Sequence, residues 1–177
     1  DRFTDAIDVT ECYRLSDTTS VDVNRQNAKA YCMLKDYKKA IERYESLKRM
    51  GDRSFLTFYY LGISYYGDNW FYGSYDNLKE AYAKNSTDIN VLYYYAKSCS
   101  RTSWKKEGVE FMEKAVEIAT PGDSILERLY KGLAECYGYA GESYKKIEVM
   151  NRLYKLNKDY KLFYSCLLYT SPEPTRH

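Results

Sequence analysis

Apolar and small residues return at three- and four-residue steps through residues 28–52, AKAYCMLKDYKKAIERYESLKRMGD, with one interruption at Lys35-Asp36 and a stop at Gly51-Asp52. That spacing predicts an amphipathic helix, a tight turn and a second helix. The same pattern recurs along the chain. Phe3, Tyr37 and Phe71 are aromatic and stand 34 residues apart. The small residues Ala6, Ala40, Ser74 and Gly108 keep the same step, as do the larger Thr10, Tyr44, Leu78 and Met112. Ala28, Gly62 and Ala96 share a further phase, and Tyr31, Tyr65 and Cys99 another. After Pro121 the phase slips by four and resumes at Leu133, Ala134, Tyr137, Gly141, Met150 and Leu153.

The physical reading is helix packing. A small residue lets a neighbouring helix approach closely, and an aromatic one turn away fills the groove beside it. One helical pair cannot bury its apolar face alone, so pairs must stack into a continuous core. Helices are expected over 3–15, 21–34, 37–50, 55–66, 71–84, 89–100, 105–119, 125–139 and 143–156. Ser20 and Ser54 stand where N-caps belong, Gly51 where a helix stops, and Thr120-Pro121-Gly122-Asp123-Ser124 is the clearest breaker. Glu110 and Lys114 are spaced for an i,i+4 ion pair on the solvent face.

A period of 34 residues with small and aromatic residues at these phases resembles the tetratricopeptide repeat (TPR) family, with a bacterial flavour in its Tyr- and Lys-rich units. Leu61, Gly62, Tyr65, Phe71 and Ala81 carry the match in one unit, and Leu133, Ala134, Tyr137 and Gly141 in the last. The resemblance implies an all-α fold, a right-handed α–α superhelix of antiparallel helix pairs. The units are framed as 21–54, 55–88, 89–122 and 127–160, preceded by a partial unit over 1–20. Two positions depart from the pattern: Lys105 stands where an aromatic is expected, and Lys146 where a small residue is.

Residues 166–177, CLLYTSPEPTRH, hold two of the three prolines and the only histidine. They break the repeat and read like the translation of a sequencing adapter, so they are expected to be a non-native tail. The opening at Asp1 in mid-repeat suggests that the native chain extends in both directions.

Composition removes several classes of function. With 27 basic and 25 acidic residues, bulk charge argues against nucleic acid or a membrane surface as the partner. The apolar run over 55–66 is too short and polar to span a bilayer, which needs about 20 residues. Outside the tail there is no histidine, which removes Ser/His/Asp and Cys/His nucleophilic sites and most zinc sites. No phosphate-binding glycine loop occurs. No enzyme activity, cofactor or metal is expected. Cys12, Cys32, Cys99 and Cys136 have no C-x-x-C spacing. Small buried thiols are the default reading, and they favour a reducing, cytoplasmic setting over a periplasmic or lipid-anchored one; a Cys12–Cys32 disulfide stays open.

In the TPR family the first helix of each unit lines a concave groove that holds a peptide or a partner helix. Carried onto this chain, the resemblance gives partner-binding candidates Arg25, Lys29, Tyr59, Tyr66, Tyr93, Lys97, Arg101, Arg128, Lys131 and Tyr139. Basic residues predominate there, so the expected partner is a protein or peptide with acidic character, the tyrosines acting as rigid anchors. The carboxylate clamp of chaperone-binding members is not reproduced, since Lys29 stands where the clamp has Asn. Two other readings remain: a single-stranded RNA-binding helical repeat, and the interaction arm of a larger enzyme or envelope-assembly protein.

Overall fold

A computed structural model describes residues 2–120, 122 and 124–156. They form nine α-helices and no strand: α1 (Arg2–Ser16), α2 (Val21–Met33), α3 (Tyr37–Arg49), α4 (Phe55–Gly67), α5 (Phe71–Lys84), α6 (Ile89–Ser100), α7 (Lys105–Ile118), α8 (Ile125–Ala140) and α9 (Ser143–Leu156). Residues 166–177 lie outside the described residues.

Local chemistry sets the boundaries. Ser20, Asp36, Ser54 and Asp88 cap α2, α3, α4 and α6, each side-chain oxygen accepting from a backbone N–H of the first turn. Helices α5 and α7 instead start behind Trp70 and Trp104, which make no side-chain cap. Gly141 closes α8 with φ +79°, a left-handed turn that glycine adopts without strain.

Consecutive helices pack along the whole chain, and α2, α4, α6 and α8 also touch one another in sequence. Among the described residues the backbones of α3, α5, α7 and α9 do not approach each other, and only side chains bridge them, Lys48 to Asn77 and Lys114 to Tyr82. Crowded even-numbered helices and splayed odd-numbered ones give a curved solenoid with α2, α4, α6 and α8 on the concave side. Leu47, Leu61, Leu78, Leu92, Met112, Leu129 and Leu153 are buried to within 2% along its axis. Each contributes about 1.5–3 kcal/mol by leaving water.

The small-residue phase has the expected cause. A Cβ on Gly62 would stand 2.5 Å from Leu78 Cγ, and one on Gly108 would stand 2.8 Å from the Ala96 carbonyl. The two departures are also accommodated. Trp104 supplies the aromatic that Lys105 lacks, stacking on Tyr75 with centroids 4.1 Å apart. Lys146 lays its aliphatic stem toward Gly138, 3.7 Å from where a Cβ would be.

Two expectations need correction. Lys114 does not pair with Glu110; its ammonium donates to Tyr82 Oη at 2.9 Å and lies 5.0 Å from that ring's centre. The aromatic and its hydroxyl together outcompete an exposed carboxylate one turn away, which is worth only a few tenths of a kcal/mol. All four cysteines are free thiols, and Cys32, Cys99 and Cys136 are buried as expected, but Cys12 is exposed because it lies on the outer face of the first helix.

Helix α1 is attached differently from the rest. Glu11 accepts hydrogen bonds from Asn27, Tyr31, Arg43 and Arg14 at 2.8–3.2 Å. Burial alone would raise its pKa, but those donors and cations outweigh it and hold the carboxyl below its ordinary value. None of the side chains described in α1 is fully buried, and Val9, Tyr13 and Leu15 are largely exposed.

Candidate functional site

The concave face is built on α2, α4, α6 and α8, and all ten candidate side chains, which these helices and their ends carry, are partly or fully exposed. Six of them converge. Lys97 lies 5.6 Å from the centre of the Tyr66 ring and 5.5 Å from that of Tyr93. The Arg101 guanidinium sits 4.4 Å from the Phe71 ring and 5.4 Å from Tyr139. Arg128 shares the Tyr93 ring with Lys97, 4.7 Å from its centre, and donates to Asn90 Oδ1 at 2.6 Å. Tyr94 ties the cluster together, edge-on to both Tyr66 and Tyr93. A glycine makes the packing feasible: a Cβ on Gly132 of α8 would come within 3.0 Å of the Tyr93 ring.

Toward α2 the face continues with Lys29, 5.5 Å over the Tyr60 ring, and with Tyr59 set edge-on to Tyr60. The remaining two candidates serve other contacts. Arg25 is drawn to the α3–α4 connection, where Nη2 donates to Asp52 at 2.8 Å while Nη1 pairs with Asp22. Lys131 pairs with Glu127 of its own helix at 2.8 Å.

The charge of the face is therefore more balanced than its residue types suggest. Lys97 is held by Glu135 at 2.9 Å. Burial by itself would lower the Lys97 pKa, but Glu135 and the oxygens of Tyr66 and Tyr93 push it up, so it stays an ammonium ion. Arg25 and Lys131 are likewise paired. Arg101, exposed to solvent, makes no ion pair among the described residues. Burial raises the pKa of Tyr59, Tyr66 and Tyr94, so these phenols stay neutral. A shallow cleft lies between Tyr66, Lys97, Arg101, Glu135 and Tyr139.

Phe71, Tyr60 and Tyr94 belong to this face and were missed in the sequence. Phe71 carries the repeating aromatic phase, which reads as packing, and its ring also supports Arg101. Tyr60 and Tyr94 each directly follow a candidate tyrosine, and only the helix rotation in three dimensions shows that neighbouring rings share the surface. No group of three or more potential metal ligands occurs among the described residues. No helix there is long and apolar enough to cross a membrane.

No family model matches the sequence. No curated protein matches it either. Solved structures do. YrrB, described as a TPR protein with an unusual peptide-binding site, superposes with a TM-score of 0.77 at 16% identity, over 91% of this chain and 81% of its own. Residues 41 to the end of MamA from Desulfovibrio magneticus give 0.78 at 15% identity, over 89% and 86%. TTC0263, a thermophilic TPR protein of Thermus thermophilus, gives 0.64 at 14% identity, over 95% and 91%. The chain thus has the fold of the TPR proteins, an all-α helical-repeat solenoid.

Proposed function

We propose that the chain is a non-catalytic protein–protein interaction scaffold whose concave face holds an extended or helical segment of a partner with acidic character. The observation that carries this reading is Arg101. Its guanidinium is fixed between two aromatic rings, exposed, and without an ion-pair partner among the described residues. A planar cation so oriented complements a carboxylate in two-point contact. Tyr66, Tyr93 and Tyr139 beside it give amphipathic contact area with little rotamer entropy to lose. The shared fold with a TPR protein described as having an unusual peptide-binding site is in keeping with a peptide partner. An RNA-binding reading fits less well, because Arg25, Lys97 and Lys131 are engaged by carboxylates of the chain itself and are not free to track a phosphate backbone.

The test is selection of a displayed random-peptide library on the full chain. Enrichment of segments combining Asp or Glu with an apolar residue is expected. Arg101→Ala should weaken a selected peptide about tenfold, and Arg101→Lys should recover little, since lysine keeps the charge but loses the stacking. Glu135→Gln, which frees Lys97, should strengthen it. Selected peptides with no acidic bias, or ones indifferent to Arg101→Ala, would refute the reading.

A further inference from the structure

We infer that the outer side of the solenoid carries a second docking site, in the cleft between α3 and α5, for an arginine-bearing segment of a partner protein. The backbones of α3 and α5 stay apart, and an open cavity of about 380 Å³ lies between them, floored by Phe58 and Tyr65 of α4 and spanned only by the Lys48–Asn77 contact. Sites for ligand groups typically begin at about 300 Å³.

One wall is Trp70, 54% exposed. It is not a loose surface side chain. Tyr65 meets its ring edge-on at 4.6 Å, and a Cβ on Gly73 would stand 2.5 Å from it, so the ring lies flat against the start of α5. The floor already holds a cation. Lys48 donates to Asn77 Oδ1 at 3.1 Å and Glu45 Oε1 at 3.5 Å, with its ammonium 5.9 Å from the centre of the Phe58 ring. Glu45 also accepts from Tyr65 Oη at 2.8 Å through the same oxygen, and Lys48 offsets its charge.

The rim is different. Asp76 and Glu80 stand four residues apart on α5, both exposed, and neither makes an ion pair among the described residues. Lys79 is the opposing charge at that edge. The cavity therefore offers an incoming group a fixed aromatic plane and two uncommitted carboxylates one helical turn apart. That is the complement of a guanidinium, which stacks through its face and donates through a planar fork. An ammonium group would use the carboxylates but gain less from the plane. The concave face shows the converse arrangement, with Arg101 as the stacked cation awaiting a carboxylate.

The experiment is an NMR titration of the full chain with an acetylated, amidated Gly-Arg-Gly-Arg-Gly peptide and its lysine counterpart. It follows the indole N–H of Trp70, assigned by loss of the other indole signal in Trp104→Phe. The arginine peptide should move the Trp70 signal and bind about fivefold tighter than the lysine peptide. The double variant Asp76→Asn, Glu80→Gln, both on the exposed surface, should weaken binding about tenfold. Lys79→Gln should tighten it. The inference is overturned if Trp70 does not respond, if the two peptides bind equally, or if the double variant binds as the parent does.

Discussion

Asp52 offers the sharpest test of how the first helix pairs are locked together. Its side chain is 6% exposed and lies in the connection between α3 and α4. One oxygen accepts from Thr57 Oγ1 at 2.7 Å and Arg25 Nη2 at 2.8 Å, the other from the Ser54 backbone at 2.9 Å. Burial alone would raise its pKa, but these donors outweigh it and hold the carboxyl at about 2, against 3.8 for the free group. A depressed carboxyl stabilises the fold above its unfolded pKa, and that contribution is lost as pH falls toward the folded one. The difference corresponds to about 2.4 kcal/mol at neutral pH, falling to roughly half by pH 3. Asp52→Asn should therefore lower stability by about 2–3 kcal/mol at pH 7, since Arg25 keeps Asp22 as a second partner. In a chain of this size that is about 5–10 °C in melting temperature. Thermal unfolding of parent and variant by circular dichroism, from pH 7 down to pH 3, measures both quantities. A gap under about 0.5 kcal/mol at pH 7, or one that does not shrink between pH 5 and pH 3, would refute the argument.

Two further outcomes follow from packing. Gly108→Ala should cost about 1–3 kcal/mol in denaturant unfolding, because the new methyl would meet the Ala96 carbonyl and the Ser100 backbone, neither of which can rotate away; an unchanged midpoint would show that α6 and α7 separate freely. In site-resolved alkylation of the native chain at neutral pH, Cys12 should react well before Cys32, Cys99 and Cys136. The first is exposed, while burial raises the other three thiols, Cys99 to about 12 and Cys136 to about 11; equal labelling rates would mean that the helix pairs open readily.

Helix order and pairing were legible in the sequence because they depend on a period. Small residues at Ala28, Gly62 and Ala96 and capping residues at Ser20 and Ser54 each act within a few positions, and the structure uses them as local chemistry dictates. Legibility faded where a side chain had more than one partner to choose from. Lys114 reached Tyr82 rather than Glu110, and three of the six basic candidates found carboxylates in the chain: Arg25, Lys97 and Lys131. Tyr82 lies 32 residues from Lys114 and Asp52 lies 27 from Arg25, while Glu135 reaches Lys97 from another helix; no local spacing encodes such partners. The cleft beside Trp70 was invisible for a related reason. It exists because the backbones of α3 and α5 stay apart, and a sequence pattern reports contacts more readily than gaps.

The mode of attachment of α1 sets the order in which this solenoid comes apart. Every later junction is closed by buried aliphatic and aromatic side chains, whereas α1 is held largely by polar contacts, Glu11 to its three donors on α2 and α3 and Arg14 to Asn24, with Ile7 as a partly buried apolar contact. Peeling α1 away exposes little apolar surface, so it adds little heat capacity and little sensitivity to urea. High salt, which screens charge, loosens this end at little cost in buried apolar surface. The protein thus has one end held largely by ionic contacts and an interior held mainly by burial, to which Asp52 adds an acid-sensitive contribution of its own.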